Sequence, residues 1–283
     1  MPERSAAAQP GRVPGSRRDT GTLFAALYGE FVPHAWHDPE HDAYQLFYQR
    51  SRAMSWLDDT DLGGGVHDRT RHTPGLWGMN DAGWEHPLGT AGTALISWFQ
   101  VSAGAVADDQ PLPVQPFLRC AEDATARAGT PSLSAVQVLL PVQGIDPASR
   151  PPYAPVPSMG SLEWFAEGDP RSKTTVQVSI NSGLDPAIPA VAQQLTDHLT
   201  RLRQDVFVCT SHHTTDREST PAPACGDGLW NGPPLHGVML HGDLAEWTCE
   251  AIGWTAEVIA DSAARLGVQT PLLLTVTRTH PTN

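Results

Sequence analysis

One arrangement of strand, helix and turn occurs twice in this chain. Val101-Ser102-Ala103-Gly104 precedes a helical stretch ending Ala126-Arg127-Ala128-Gly129, then Thr130-Pro131 and the apolar run Ala135-Val136-Gln137-Val138-Leu139-Leu140. Met239-Leu240-His241-Gly242 precedes a stretch ending Ala264-Arg265-Leu266-Gly267, then Thr270-Pro271 and Leu272-Leu273-Leu274-Thr275-Val276. Gly104 to Gly242 is 138 positions (242 − 104), and so is Gly129 to Gly267 (267 − 129). An interval shared by strand, helix and turn predicts two copies of one unit. It constrains the architecture and leaves the chemistry open.

The second copy is the easier to read. Residues 174–181 alternate, with Val176, Val178 and Ile180 on one side and Gln177, Ser179 and Asn181 on the other, which predicts a half-buried strand. Asp185-Pro186 predicts a helix start, and the stripe Ile188, Val191, Leu195, Leu199 and Leu202 continues it. Strands follow at 206–211 and 235–241. Asp243 with Glu246 has the spacing of a capping box for a long helix. The last strand is 272–277. In the first copy, strands are expected at 23–32, 95–103 and 134–142, and helices from Asp38-Pro39 and over 113–128. A glycine-rich insert at 58–92 stands in place of the second strand, and 161–166 reads as an additional strand.

The order β-α-β-β-α-β resembles the ferredoxin-like pattern in topology. The expected class is α+β, with two tandem ferredoxin-like units forming antiparallel sheets and helices packed on one face. The divisions are a disordered tail at 1–20, a first unit at 21–144, a Pro-rich linker at 145–160 and a second unit at 161–279. The tail is rich in Ala, Pro, Gly, Ser and Arg and is expected to add nothing to the core.

Composition narrows the partners. A net charge of −13 repels phosphate backbones and argues against nucleic acid. No apolar run reaches the roughly 18 residues of a bilayer span, and the first 20 residues lack the apolar core of a secretory signal. Lys173 is the sole lysine, an Arg bias that fits a GC-rich bacterial genome. Cys120, Cys209, Cys225 and Cys249 form no C-x-x-C pair, so neither a thiolate zinc site nor a redox dithiol is signalled. The cytoplasm is the default location.

The chemistry-bearing residues fall into groups. With the first and third strands of each unit taken as parallel neighbours, their ends feed helix N-termini at one edge, where N–H groups favour anions. In the second unit that edge collects Asn181, His241 and Asp243. In the first it collects His34, Trp36 and His37, with His34 aligned on Asn181. His34-Ala35-Trp36-His37-Asp38-Pro39-Glu40-His41 is the densest histidine cluster, and its spacing matches no zinc signature. At Ser211-His212-His213 alternation lets only one imidazole point to a given face. His213 and His241 are candidate acid–base groups, with Asp243 or Asp216 as the orienting carboxylate. Gln177, Ser179 and Asn181, with Thr275 and Thr277, make the open sheet face unusually polar, and Gln100 and Gln137 echo this weakly. Trp84 in the insert and Trp230 in the loop at 214–234 suit an ordered lid. The plainer reading of each group is helix capping, turn closure or a solvated face. No phosphate loop, nucleophile elbow, H-E-x-x-H helix or dinucleotide fingerprint is present.

The expected function is a small-molecule biosynthetic enzyme, a lyase, cyclase or isomerase. It would use cofactor-independent proton transfer by His241, His213 and Asp243. Asn181, Ser179, Gln177, His34, His37, Trp84 and Trp230 would bind the substrate. An anionic substrate suits the helix N-termini. No organic cofactor or metal is implied. Paired ferredoxin-like units can enclose a haem on one His ligand, a reading that a colourless protein would remove. The rivals are a non-catalytic interaction or scaffold module and a degenerate subunit of a hetero-complex. Assembly as a homodimer or a hetero-complex fits either rival or the enzyme.

Overall fold

Period-two alternation gives the inner strands an apolar face, and backbone hydrogen bonds between their edges join them into a sheet. The computed structural model describes residues 21–38, 42–58, 75–84, 94–103, 110–148, 160–202, 204–216 and 221–279. Eight strands, β1 (Gly21–Pro33), β2 (Trp77–Trp84), β3 (Ala94–Ala103), β4 (Gly129–Leu140), β5 (Thr174–Asn181), β6 (Phe207–Thr215), β7 (Gly237–Leu244) and β8 (Leu272–Arg278), form one sheet in the order β2-β3-β1-β4-β8-β5-β7-β6. Every neighbouring pair is antiparallel. The helices are α1 (Ala43–Ala53), α2 (Val114–Ala128), α3 (Gly160–Ala166), α4 (Ala187–Arg201) and α5 (Cys249–Arg265). The class is α+β.

One face of the sheet carries the main core. Leu23, Leu27, Phe99, Val136, Val138, Val176, Val178, Ile180, Leu240 and Leu274 are buried there against Phe47 of α1, Phe117 of α2, Leu195 of α4 and Ile259 of α5. The two halves of the chain meet where β4 pairs with β8. At the centre of that pair Gln137 stands opposite Thr275, and its Nε2 donates to Thr275 Oγ1 at 3.1 Å. These partners are 138 residues apart, the interval at which the sequence repeats.

Five expectations need correction. The first and third strands of the second half are not parallel: β5 and β7 run antiparallel, with Gln177 opposite His241 and Asn181 opposite Gly237. The reason is connectivity, since α4 returns the chain to β6, which runs beside β7 and not beside β5. Asp243 caps no helix, because β7 runs on to Leu244; Thr248 caps α5 instead, its side chain accepting the Ala251 N–H at 3.2 Å. Residues 161–166 are helical, and the Leu162–Phe165 spacing of three turns both toward the core. The insert holds a full edge strand, β2. Its Trp77 side chain is buried and donates to Ser51 Oγ at 3.3 Å. At the first helix, Asp42 is the cap, accepting the Gln45 N–H at 2.7 Å. The tail at 1–20, Gly104 and most of the linker lie outside the described residues.

Helices α2 and α5 are in close contact. At Gly253 an added Cβ would lie 2.6 Å from Gln115 Cα. One turn on, Glu257 is 2% exposed, and its carboxyl accepts the Gln115 N–H at 2.7 Å, at the start of α2 where Pro113 supplies no side-chain cap. Burial pushes its pKa up to about 8, against the pull of the Gln115 and Val114 N–H groups. A pKa raised on folding means that the native state keeps a proton the unfolded chain releases from about pH 4.5 upward. The stability contributed is complete below that range and is lost as pH rises through about 8. Glu257→Gln should therefore gain on wild type as pH rises from about 5 to about 8, by up to about 1.4 kcal/mol per pH unit. Urea unfolding at several pH values measures this, and a pH-independent difference would contradict it.

Candidate functional site

Gln137, Thr275, Ser179, Gln177 and His241 lie on the face away from the helices, and the register lays that face out as rows. One row runs Trp98, Ala26, Gln137, Thr275, Ser179, Met239, His213. A second runs Tyr28, Ala135, Thr277, Gln177, His241, Ser211. A third runs Gln100, Phe24, Leu139, Leu273, Asn181, Gly237, Thr215. Counted outward from the Gln137–Thr275 pair, Phe24 holds the place of Gln177, Ala26 that of Ser179 and Tyr28 that of Asn181. Asn181 therefore corresponds to Tyr28, not to His34, which lies beyond the end of β1.

The two ends of this face differ in character. On the β1 side Phe24 stacks on Trp98 with ring centroids 6.1 Å apart, and Phe24, Ala26, Tyr28, Ala135 and Leu139 are buried together. On the β5 side Gln177, Ser179, Asn181 and Thr277 stand in the places of Phe24, Ala26, Tyr28 and Leu139, while Leu273 stands in that of Ala135. His213 and His241 stack at 5.3 Å with 24° between ring planes. They come from adjacent strands, and the β6 bulge between Cys209 and Ser211 puts His213, not His212, on this face; Thr210 Oγ1 in the bulge donates to the His241 carbonyl at 3.1 Å. His213 is exposed and His241 is half-buried, with half-buried Gln177 beside it. His212 faces the helix side, opposite Leu240.

A strap, residues 221–236, crosses the middle of the face. Tyr28 Oη donates to the Ala222 carbonyl at 3.1 Å, and the Ala224 N–H donates to Gln137 Oε1 at 2.8 Å. Cys225 and Trp230 bury themselves in the cluster with Phe24, Leu139 and Leu273. Burial pushes the Cys225 thiol up to about 11 and the Tyr28 phenol above its usual range, so neither is an anion near neutral pH. The strap returns at Gly183, whose carbonyl accepts the His236 N–H at 3.1 Å.

The expected site residues separate into three places. His213, His241, Gln177 and Ser179 share one floor. Asp243 lies two residues past His241 on the same face, and its carboxylate accepts from Thr175 Oγ1 at 2.8 Å, not from the His241 ring. Asn181 lies opposite Gly237, four residues and about 13 Å along β7 from His241, not in the same side-chain layer. Trp230 belongs to the strap and packs into the apolar cluster with Phe24, Leu139 and Leu273. His34, His37 and Trp84 are elsewhere. Trp84 stacks on Phe31 at 6.2 Å and meets His37 edge-on at 6.5 Å. His34 stacks on Trp36 at 4.7 Å and donates to the Ala126 carbonyl at 3.2 Å. Trp84 belongs to β2, six strand steps from β7, or roughly 29 Å.

Nothing in the sequence marks Tyr28 or Cys225 as site residues, and Gln137 echoes the polar face only weakly. One signal for Gln137 was present: its distance of 138 from Thr275 equals the repeat interval. Among the described residues no group of three or more His, Cys, Asp or Glu side chains is placed to hold a metal, and no helix is long and apolar enough to cross a membrane. Comparison with family models, curated proteins and solved structures gives no match.

Gln137 holds both the β4–β8 centre and the strap, so its removal should be felt in both. Gln137→Leu leaves the Ala224 N–H without its acceptor, a loss of about 1–3 kcal/mol. Amide exchange at residues 222–230 should speed up more than exchange in β5. Unchanged strap protection would show that the apolar anchors suffice.

Proposed function

We propose that the chain is a fused pair of ferredoxin-like units and that it works as a small-molecule enzyme. On this reading the open face of the second unit performs cofactor-independent proton transfer through His241 and His213. The observation that supports it most is the divergence of equivalent positions. Phe24, Ala26 and Leu139 seal one half of the face, while Gln177, Ser179 and Thr277 keep the other half polar around two imidazoles. A polar floor beside an apolar one gives up burial that the first half obtains, which suits a surface retained for a ligand.

The roles follow from chemistry. An imidazole changes charge near neutral pH, so one ring of the pair can take a proton from a substrate carbon or heteroatom while the other returns one. Gln177, Thr277 and Ser211 offer amide and hydroxyl groups that orient a polar substrate around those rings. Cyclisation, elimination and isomerisation all need no more than this.

A second reading is favoured by one observation. Asp243 accepts from Thr175, and among the described residues neither imidazole is hydrogen-bonded to a carboxylate. On that reading the same floor holds a ligand or a partner without turning it over, as an interaction module or the degenerate subunit of a hetero-complex.

The two readings part in one assay. The full-length protein is incubated in D₂O with a fractionated bacterial metabolite pool, and products and deuterium uptake are followed by mass spectrometry. The enzyme reading expects a consumed metabolite with exchanged protons and a loss of about a hundredfold or more in His241→Ala, with the fold intact by circular dichroism. A pool from which the protein retains a compound without exchange or conversion would favour the second reading.

A further inference from the structure

The open face of the second half offers no cation to an anionic ligand. Among the described residues its positions on β5, β6, β7 and β8 hold no lysine or arginine and one carboxylate, that of Asp243. The strap has no lysine or arginine either and adds Asp227. Arg278, at the end of β8, stands opposite Val176 and so belongs to the helix side. Among the described residues no lysine or arginine is ion-paired to Asp243, exposed Lys173 just ahead of β5 included.

Asp243 is half-buried on β7, between Thr175 of β5 and Val208 of β6. Thr175 Oγ1 donates to its Oδ1 at 2.8 Å, which fixes the carboxylate, and Oδ2 has no donor among the described residues. His241 stands two residues back on the same strand face, about 7 Å away, and His213 stacks on it at 5.3 Å. Val208, beside the carboxylate, is 40% exposed and gives the floor an apolar margin there.

The charge balance selects the sign of the ligand. An anion brought onto this floor would meet Asp243 and a chain of net charge −13, with no arginine or lysine at these positions to balance it. An ammonium group would complete a charge-assisted hydrogen bond at Asp243 Oδ2 and lay its carbon chain past Val208 toward the imidazoles. The Thr175 hydroxyl holds the carboxylate in place for it.

We propose that the ligand of the open face is a cation, an alkylammonium whose amino group is held by Asp243 while its carbon chain reaches His241 and His213. This rests on reading the open face as the ligand site, and it names the substrate class for that site. Asp243 becomes a binding residue in place of the orienting role expected for it. The sign of the substrate also reverses from the anion expected at helix N-termini, since α4 and α5 pack on the opposite face of the sheet.

The test titrates isotopically labelled full-length protein with butylammonium, butan-1-ol and butyrate, and follows amide and histidine-ring resonances by NMR. Butylammonium at millimolar concentration should shift Thr175, His241 and Asp243 saturably, and at lower concentration than it shifts Glu122, Glu246 or Glu250. Butan-1-ol and butyrate should each bind about tenfold more weakly or worse. Asp243→Asn keeps an acceptor for Thr175 and should weaken butylammonium about tenfold, the usual cost of one charged hydrogen bond. Butyrate binding as tightly as butylammonium, an even response at all the acidic residues, or an unaffected Asp243→Asn would each overturn the proposal. Where Asp243→Asn does not fold, the wild-type protein decides: a tenfold preference for butylammonium over butan-1-ol supports the ammonium site, and equal binding overturns it. Turnover that depends on His241 with no preference for the ammonium would sink the proposal and spare the proton-transfer reading. Asp243-dependent binding of butylammonium by a protein that converts nothing would do the reverse.

Discussion

The hydrogen bond from Gln137 Nε2 to Thr275 Oγ1 sits where the two halves of the sheet become one. It joins positions one repeat interval apart, so under the proposed duplication it lies on the pseudo-twofold axis that relates the units. On one side of it β4 hands the sheet to β1 and β3, and on the other β8 hands it to β5 and β7. The same glutamine accepts the Ala224 N–H with its other amide atom, which fixes the strap across the axis. A leucine pair would fill the space and still leave the strap's N–H unbonded.

From that centre the two halves take different routes. The helix side is mainly apolar: valines, leucines and isoleucines of β1, β4, β5, β7 and β8 bury against the helices, with Ser97 of β3 bonded to Thr125 of α2. The open side divides. Aromatic packing of Phe24 and Trp98 and the anchored strap occupy the first half. The second keeps Gln177, Thr277, His241 and His213 within reach of a ligand. A pair of identical units would present two equal faces; one sealed and one polar face leave a single ligand site per chain on the proposed reading.

Much of this was legible in the sequence, and the remainder failed for definable reasons. Val176, Val178 and Ile180 against Gln177, Ser179 and Asn181 gave the two faces of β5 correctly, since alternation is local. The stripe from Ile188 to Leu199 gave α4 for the same reason. Strand direction is not local: nothing in Asn181 or His241 records whether β5 and β7 run together or opposed, and the wrong choice placed those two residues side by side. Asp243 misled because an Asp followed by a Glu three residues on reads as a cap, yet its strand neighbour Thr175 takes the carboxylate. His34 and His37 looked like site residues by density alone, and they belong to an aromatic cluster at the far end of the sheet. The strap's role was invisible because its anchors, Tyr28 and Gln137, lie about 200 and 90 residues from it in sequence.

The central claim is that ligand recognition belongs to the open face of the second half alone. Backbone and side-chain chemical-shift mapping tests it most directly, with the isotopically labelled full chain titrated with whichever fraction of a metabolite pool it retains. The account predicts shifts confined to residues 175–181, 211–213, 239–243 and 275–277, with the strap. Shifts centred on Phe24, Trp98 and Gln100, or on the cluster of His34, Trp36 and Trp84, would contradict it.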